Sequence, residues 1–307
     1  MAVRIKAYAK INLTLDIVGK TGQYHELDSL VATVDLFDYI VLRKRKDKHS
    51  FVTMRGLGSE SIPPEKNNAW KAAELFSQAF GVNGAEITIY KNIPMGAGLG
   101  GSSADASGVL RGMAKLYKIA DKQKLGALAD ELGSDTRYML EGGFARMRGR
   151  GTQIEKLPIS PTLHFLLVVP REPVSTAECY RLFDEQENAQ KTEIASEKLA
   201  QLLLQNRIND GGMYLTNDLY APAILLNNQV KNALEAVQNL SPLGATMTGS
   251  GSGVIALFET KELCEWAKSR IRGKWKTMVI KTLDPQAKGS GWRSPFSLSQ
   301  DEIENTL

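Results

Sequence analysis

Pro94-Met95-Gly96-Ala97-Gly98-Leu99-Gly100-Gly101-Ser102-Ser103-Ala104-Asp105 is the stretch on which the fold turns. It lies between an alternating segment, Glu86-Ile87-Thr88-Ile89-Tyr90, and a run in which Ala106, Val109, Leu110, Met113, Leu116 and Tyr117 recur at helical spacing. A strand therefore enters a glycine-rich turn and an amphipathic helix leaves it. Four glycines within six positions let the backbone approach a ligand closely. Two hydroxyls are available to hydrogen-bond, and the start of the helix presents unpaired N–H groups with a partial positive charge. Together these features predict an anion site, most naturally for phosphate. The competing reading, a tight turn with Ser102 or Ser103 as helix N-cap, needs only one glycine.

Gly96, Gly98 and Gly101 also satisfy the spacing of a dinucleotide fingerprint. That fold needs a strand ending in an acidic residue about twenty positions on, where Asp121-Lys122-Gln123-Lys124 instead opens another helix. No Gly-Lys-Ser/Thr triplet follows, which excludes a Walker loop.

Upstream, Lys10 to Val18 alternates apolar and polar with period two, and Gly19-Lys20-Thr21-Gly22 breaks the pattern. A second strand is expected from Leu30 through Val41. The basic run Arg43-Lys44-Arg45-Lys46, with Gly56-Leu57-Gly58 beyond it, reads as a solvated hairpin, its charges discouraging edge aggregation. From Asn68, Ala69, Ala72, Ala73, Phe76, Ala79 and Phe80 mark a helix closed by Gly81, and a short helix over Lys122 to Leu132 ends at Gly133. Prolines at 158 and 161 interrupt the pattern ahead of a buried-type strand, Leu163 to Val169. A domain boundary is placed there, giving 1–158, 159–284 and a polar tail, 285–307. Three or four helices follow between Ala177 and Leu240, then a helix through Arg272 and a strand from Thr277 to Leu283. A second glycine run, Thr248-Gly249-Ser250-Gly251-Ser252-Gly253, is pinned between Ala245-Thr246-Met247 and Val254-Ile255-Ala256-Leu257-Phe258. It reads as a turn whose backbone comes close to a bound group rather than as a flexible linker.

The 307 residues suit two domains or one large α/β unit. With 43% hydrophobic and 23% charged residues, fibrous and wholly disordered classes are excluded. Thirty-eight Lys and Arg against 34 Asp and Glu leave +4, a weak argument for nucleic acid and a fair one for a small anionic substrate. Two cysteines, Cys179 and Cys264, make neither a disulfide framework nor a four-thiolate site, so a reducing cytoplasm is expected. Residues 1–6 have no apolar signal core and no apolar run approaches the ~18 residues of a membrane span. His49 and His164 have no metal-ligand spacing, and no protein metal site is expected. Oligomeric state is left open.

An early lysine on a strand, the Pro-x-x-x-Gly-Leu-Gly-x-Ser-Ser loop and a late Gly-Ser-Gly turn together resemble the superfamily of galactokinase, homoserine kinase, mevalonate kinase and phosphomevalonate kinase. The resemblance covers most of the chain. Lys10-Ile11-Asn12-Leu13, Gly22-Gln23-Tyr24-His25-Glu26-Leu27, Val34-Asp35-Leu36, Leu132-Gly133-Ser134-Asp135 and Met247-Thr248-Gly249-Ser250-Gly251 resemble the branch that phosphorylates the 2-hydroxyl of 4-diphosphocytidyl-2-C-methyl-D-erythritol in non-mevalonate isoprenoid synthesis. This implies an α+β, two-domain small-molecule kinase: an N-terminal domain like the second domain of ribosomal protein S5 and a ferredoxin-like C-terminal domain. It implies ATP and Mg2+ as cofactors. The partner it implies is a small cytidine diphosphate sugar-alcohol substrate, with no nucleic acid and no membrane.

By the same resemblance Pro94, Met95, Gly96, Ala97, Gly98, Leu99, Gly100, Gly101, Ser102, Ser103 and Ala104 wrap the ATP phosphates, and Lys10 and Asp135 form the catalytic pair. Tyr24 and His25 hold the cytosine, Tyr180 packs on its opposite face, and Asn12, Thr248, Gly249 and Ser250 complete the acceptor site. Phosphoryl transfer asks for such a pair, because it depends on positioning and on offsetting developing charge. Taken alone, each has a plainer reading: Lys10 as a solvent-facing charge, Asp135 as a helix N-cap, Tyr24 as a turn aromatic, Tyr180 as core and His25 as a loop cap.

The branch usually continues Val-Pro-Phe after the aspartate, where this chain has Thr136-Arg137-Tyr138. A cation at Arg137 is expected either to pair with Asp135 and lower its basicity or to bind a substrate phosphate. A superfamily kinase for another small alcohol, or a nucleotide-binding relative that transfers nothing, is the alternative. RNA binding rests only on the S5-like domain and the Arg43 to Lys48 run.

Overall fold

The computed structural model describes residues 2–22, 24–56, 67–159, 161–186 and 193–283. The expected tail, 285–307, lies outside the described residues, as do Leu57 and Gly58.

Strands β1 (Ala2–Asn12), β2 (Thr14–Thr21), β3 (Tyr24–Lys44) and β4 (Phe51–Gly56) come first, then helix α1 (Asn68–Phe80) and strand β5 (Ala85–Lys91). Helices α2 (Gly101–Tyr117), α3 (Lys122–Leu132) and α4 (Ser134–Glu141) follow, then strands β6 (Phe144–Gly149) and β7 (Gln153–Leu157). The second half runs β8 (His164–Val169), α5 (Thr176–Asp184), α6 (Ala195–Leu204), α7 (Ile208–Gly211), β9 (Thr216–Asn217), α8 (Tyr220–Leu226) and α9 (Asn228–Gln238). Strands β10 (Gly244–Met247) and β11 (Val254–Phe258), helix α10 (Lys261–Arg270) and strand β12 (Lys276–Lys281) complete it.

The first sheet is organised by β3, whose 21 residues are more than one partner spans. β2 pairs with its start, β6 with residues 27–32, β1 with residues 31–43 and β5 with its end, all antiparallel. The expected hairpin after Val41 is not formed. β3 runs on through Lys44, and β4 pairs parallel with β5. The link between β4 and β5 includes α1, as a parallel pair requires. Local turn chemistry around Gly56 carried no sign of a partner that lies some 35 residues on in β5.

Helix α2 lies across β1 and β3 and is buried on nearly every side from Ala104 to Ala114. Its close seat depends on Gly108 and Gly112. A Cβ on the first would lie 2.7 Å from Ile40 Cδ1, and on the second 2.4 Å from Leu42 Cδ1. Arg111, buried within the same helix, donates from its guanidinium to the Lys6 carbonyl at 2.8 Å.

The second sheet has the order β10-β11-β8-β12, all antiparallel. With α10 linking β11 to β12, this is the ferredoxin-like arrangement. β8 has the sequence His164-Phe165-Leu166-Leu167-Val168-Val169, an apolar run without alternation because both of its faces are covered. Phe165, Leu167 and Val169 join the core shared with the first sheet, while Leu166 and Val168 pack with residues of α5, α8, α9 and α10.

The two halves interlock. Beyond the expected division, Ser196 Oγ of α6 donates to Asp28 of β3, β9 pairs parallel with β2, and Leu283 N donates to the Thr33 carbonyl at 2.9 Å. Arg146 secures Asp28 with two hydrogen bonds of 2.8 and 2.7 Å. Phe165 is completely buried where the sheets meet. Phe165→Ala is expected to lower unfolding free energy by about 3–5 kcal/mol, as other large-to-small core changes do. Urea denaturation checks this; a loss below about 1 kcal/mol would show that the shared core is not continuous.

Candidate active site

One cavity of about 590 Å³ lies between the halves, and the glycine loop supplies a continuous stretch of its wall. Pro94 through Ser103 line it, and Ala104 is buried directly beneath. Gly96, Gly98 and Gly100 have φ of 63°, 72° and 67°, so every second residue takes the left-handed region that favours glycine. Gly100 is the N-cap of α2 and supplies no side chain to cap it. The first N–H groups of α2 are therefore left for a ligand, and Ser102 and Ser103 stand inside the first turn with their hydroxyls uncommitted to capping.

The two glycine turns touch backbone to backbone. Ser252 N donates to the Gly96 carbonyl at 3.0 Å and Gly253 N to the Ala97 carbonyl at 3.3 Å. A Cβ on Gly98 would lie 1.9 Å from the Thr248 carbonyl oxygen. Two of the glycines that read as ligand-facing thus serve this contact first. Gly249 and Ser250 line the cavity, whereas Thr248 is turned inward, its Oγ1 accepting from Asn12 N at 2.8 Å.

Lys10 does not face solvent. A register shift in the β1–β3 pairing between Tyr8 and Lys10 re-aims this part of β1, and every residue from Ala7 to Asn12 is buried. Lys10 Nζ donates to Asn12 Oδ1 at 2.5 Å and lies 3.5 Å from Asp135 Oδ2. Asn12 Nδ2 donates to Ser29 Oγ at 2.7 Å, and Ser29 Oγ donates to the Thr14 carbonyl at 2.5 Å. The chain of bonds fixes the ammonium from behind, and Asp135, with its side chain 37% exposed, meets it from the cavity side. Asp135 is not the cap of α4. Gly133, at φ 134°, holds that position and Asp135 is the second helical residue.

Arg137 neither pairs with Asp135 nor lines the cavity. Its guanidinium bonds Glu141 at 3.1 Å and approaches Asp130 at 3.5 Å, on the far side of α4. Tyr138 is buried and anchored, its hydroxyl donating to the Gly143 carbonyl at 2.5 Å. The departure after Asp135 is thus accommodated outside the site.

A buried charge cluster behind the loop was not singled out in the sequence. Lys91 Nζ bonds Asp38 Oδ2 and, at 2.5 Å, Asp105 Oδ2. Asp38 Oδ1 accepts from the backbone of Asn92 and Ile93 at 2.6 and 2.8 Å, so the cluster secures both ends of the loop. Burial pushes the Asp105 carboxyl up to about 7 against the pull of the Lys91 ammonium. Lys91 ends the alternating strand and Asp105 ends the loop motif, but two carboxylates sharing one lysine is a tertiary fact.

Of the expected base-binding residues, Tyr180 lines the cavity, while Tyr24 and His25 lie beside it. His25 stacks on Tyr180 with centroids 4.8 Å apart, and Arg150, a lining residue that sequence reading missed, lies 3.5 Å over the Tyr24 ring. Its signal was Gly149-Arg150-Gly151, a cation on a glycine turn.

The chain belongs to the GHMP kinases: the descriptions "GHMP kinases N terminal domain" and "GHMP kinases C terminal" match residues 67–145 and 194–276. Among its relatives, a 4-diphosphocytidyl-2-C-methyl-D-erythritol kinase from Caldicellulosiruptor bescii is 33% identical over 94% of this chain and all of that protein. One so named from Clostridium beijerinckii is 33% identical over 91% of this chain and 99% of its own length. A crystal structure of 4-(cytidine 5'-diphospho)-2C-methyl-D-erythritol kinase superposes with a TM-score of 0.74 at 29% identity, covering 91% of this chain and 98% of that one. Homoserine kinase from Cytophaga hutchinsonii shares the fold, with a TM-score of 0.71 at 20% identity over 92% and 94% of the two chains.

Gly98→Ala is expected to cost distinctly more stability than Gly22→Ala and to weaken ATP binding at least tenfold. Both have left-handed φ, but nothing lies within 4 Å of a Cβ on Gly22, so that variant bears only the conformational penalty of about 1–2 kcal/mol. Equal losses in the two variants would sink the backbone-contact argument. A second expectation concerns pH. The folded-state value for Asp105 lies above its ordinary 3.8, so its contribution to stability is intact below pH ~4 and lost as pH rises toward about 7. Melting curves of Asp105→Asn should accordingly fall less between pH 4.5 and 8 than those of the parent, and a steeper fall would contradict this.

Proposed function

We infer that the chain transfers the γ-phosphoryl group of ATP to the 2-hydroxyl of 4-diphosphocytidyl-2-C-methyl-D-erythritol. One observation carries the chemistry: Lys10 Nζ is buried 3.5 Å from the Asp135 carboxylate at the wall of the cavity that the glycine loop also lines. The named relatives, aligned over nearly the whole chain, carry the acceptor.

Asp135 is proposed to orient the acceptor hydroxyl and take its proton as the phosphoryl group arrives. Lys10 keeps that carboxylate ionised and offsets charge on the transferring oxygens, and Asn12 holds the ammonium in place. The free N–H groups at the start of α2 receive the phosphates. Tyr24, His25 and Tyr180 are proposed to hold the cytosine, and Gly249 and Ser250 to close the acceptor side, with Thr248 fixing the Asn12 backbone behind them.

Mg2+ fits the residues present. Among the described residues no three His, Cys, Asp or Glu side chains gather as a metal cage. Mg2+ in kinases is commonly held by one or two carboxylates together with substrate phosphates. Asp105 Oδ1, buried without a hydrogen-bond partner in a residue that lines the cavity, is the oxygen suited to it, with Ser103 nearby on the same helical turn. The ion would supply charge neutralisation to the β- and γ-phosphates.

We also propose a division near residue 158, since the strands of the first sheet run without interruption by the second up to Leu157 and the second sheet begins at His164, with only the two-residue β9 returning to the first. A reducing cytoplasm suits two buried free thiols. No helix among the described residues is long and apolar enough to cross a membrane.

ADP release in the presence of the cytidine-linked acceptor tests the reading. Asp135→Asn and Lys10→Met should each lower kcat by about 10²–10⁴, the range for a positioned acid–base group, while Asp135→Asn keeps its melting temperature. An active enzyme indifferent to both changes would refute these roles, and preference for another alcohol in an acceptor panel would refute the substrate.

A further inference from the structure

Asp184, the last residue of α5, belongs to the second half of the chain but binds two residues of the first. Its Oδ1 lies 2.6 Å from His25 Nε2 and its Oδ2 accepts from Lys20 Nζ, also at 2.6 Å. The His25 ring is held on two further sides, stacked on Tyr180 and met edge-on by Phe183 with centroids 5.9 Å apart. The ring is thus fixed before any ligand arrives, and its side chain is only 11% exposed. The Lys20 ammonium, and then His25, hold the Asp184 carboxyl below the usual range, so it stays an acceptor with no proton to give.

We propose that Asp184 is a positioning residue for base selectivity: by accepting from Nε2–H it holds the His25 ring in the tautomer whose Nδ1 keeps its lone pair, and so selects an amino-bearing pyrimidine. The chemistry follows from the donor inventory of imidazole. A neutral ring has one N–H, and a carboxylate at Nε2 requires that N–H there. Among the described residues no hydrogen bond engages Nδ1. Cytosine offers its exocyclic amino group to such an acceptor, whereas uracil offers a carbonyl oxygen at the same position, setting lone pair against lone pair. A site that rejects by leaving polar groups unpaired discriminates more strongly than one that only adds a contact. Lys20 takes part by keeping Asp184 charged and in place.

This inference rests on the cytidine-linked acceptor proposed above, so its test has an arm independent of turnover. The chain has three histidines, His25, His49 and His164, few enough to assign by 15N-histidine NMR. In the parent chain His25 should show the Nε2–H tautomer, and in Asp184→Ala a mixture. In kinetics with cytidine- and uridine-linked diphosphate acceptors, Asp184→Ala should raise KM for the cytidine compound about tenfold, leave kcat and the ATP KM near parent values, and shrink cytidine-over-uridine preference by tenfold or more. Asp184→Asn keeps an acceptor oxygen and should retain more of the preference. An unchanged tautomer in Asp184→Ala, or an equal KM increase for both acceptors, overturns the proposal. Failure of the parent chain to phosphorylate the cytidine compound would instead overturn the acceptor reading, with the NMR arm still deciding what Asp184 does to His25.

Discussion

Two glycine turns from different sheets meet backbone to backbone, and the site exists because they do. Gly98 sits against the Thr248 carbonyl at a distance no side chain tolerates, and two hydrogen bonds from Ser252 and Gly253 close the contact. The first turn alone would be a phosphate loop at the edge of a sheet, open on one side. Packed against the second turn, it becomes one wall of a cleft whose other features come from β1, α4 and α5. The shared core explains why the contact holds its geometry. Phe165, Leu167 and Val169 bury one face of the second sheet against the first, and the backbone of Leu283 joins β3.

Placing ionisable groups in that cleft has a cost, and the structure meets it in two ways. Lys10 is buried with an amide oxygen behind it and a half-exposed carboxylate ahead, so its charge is solvated by the protein and by the ligand side. Lys91 is buried between two carboxylates, and burial, with Asp38 beside it, pushes Asp105 upward against the pull of the ammonium. The second arrangement is the more demanding, and it lies behind the loop, where it secures both ends of that segment. The first is at the pair proposed to meet the acceptor hydroxyl.

How much of this was legible in the sequence follows from whether a signal is local. The glycine loop, the helices over Asn68–Phe80 and Lys122–Leu132, and the strand beginning near Leu163 all declare themselves through period and turn residues. Continuous alternation from Lys10 to Val18 does not occur, because Leu13 separates β1 from β2. The full reach of β3 was hidden because four partners cover different stretches of it, which erases a single alternating pattern. Likewise α2 reads as amphipathic, yet it is buried almost all round, and its two packing glycines look like weak points until Ile40 and Leu42 are placed against them. Arg137 misled in the other direction. Adjacent in sequence to the pair of Asp135 and Thr136, it turns to Glu141 and Asp130, since residues one and two apart on a helix do not share a face.

The balance of charge is the clearest case of a global number failing to describe a site. A net +4 over 307 residues suggested an anionic partner only weakly. At the start of α2 backbone N–H groups stand at the cleft without a side-chain cap, and no count of lysine and arginine registers them. Side-chain cations are few there and individually tethered: Lys10 by Asn12, Lys91 by Asp38 and Asp105, Arg150 by the face of Tyr24. A site built this way would meet phosphate through fixed dipoles that need no reorganisation when charge shifts from one oxygen to the next. That is the requirement phosphoryl transfer imposes, and it accounts for the glycine content of both turns better than flexibility does.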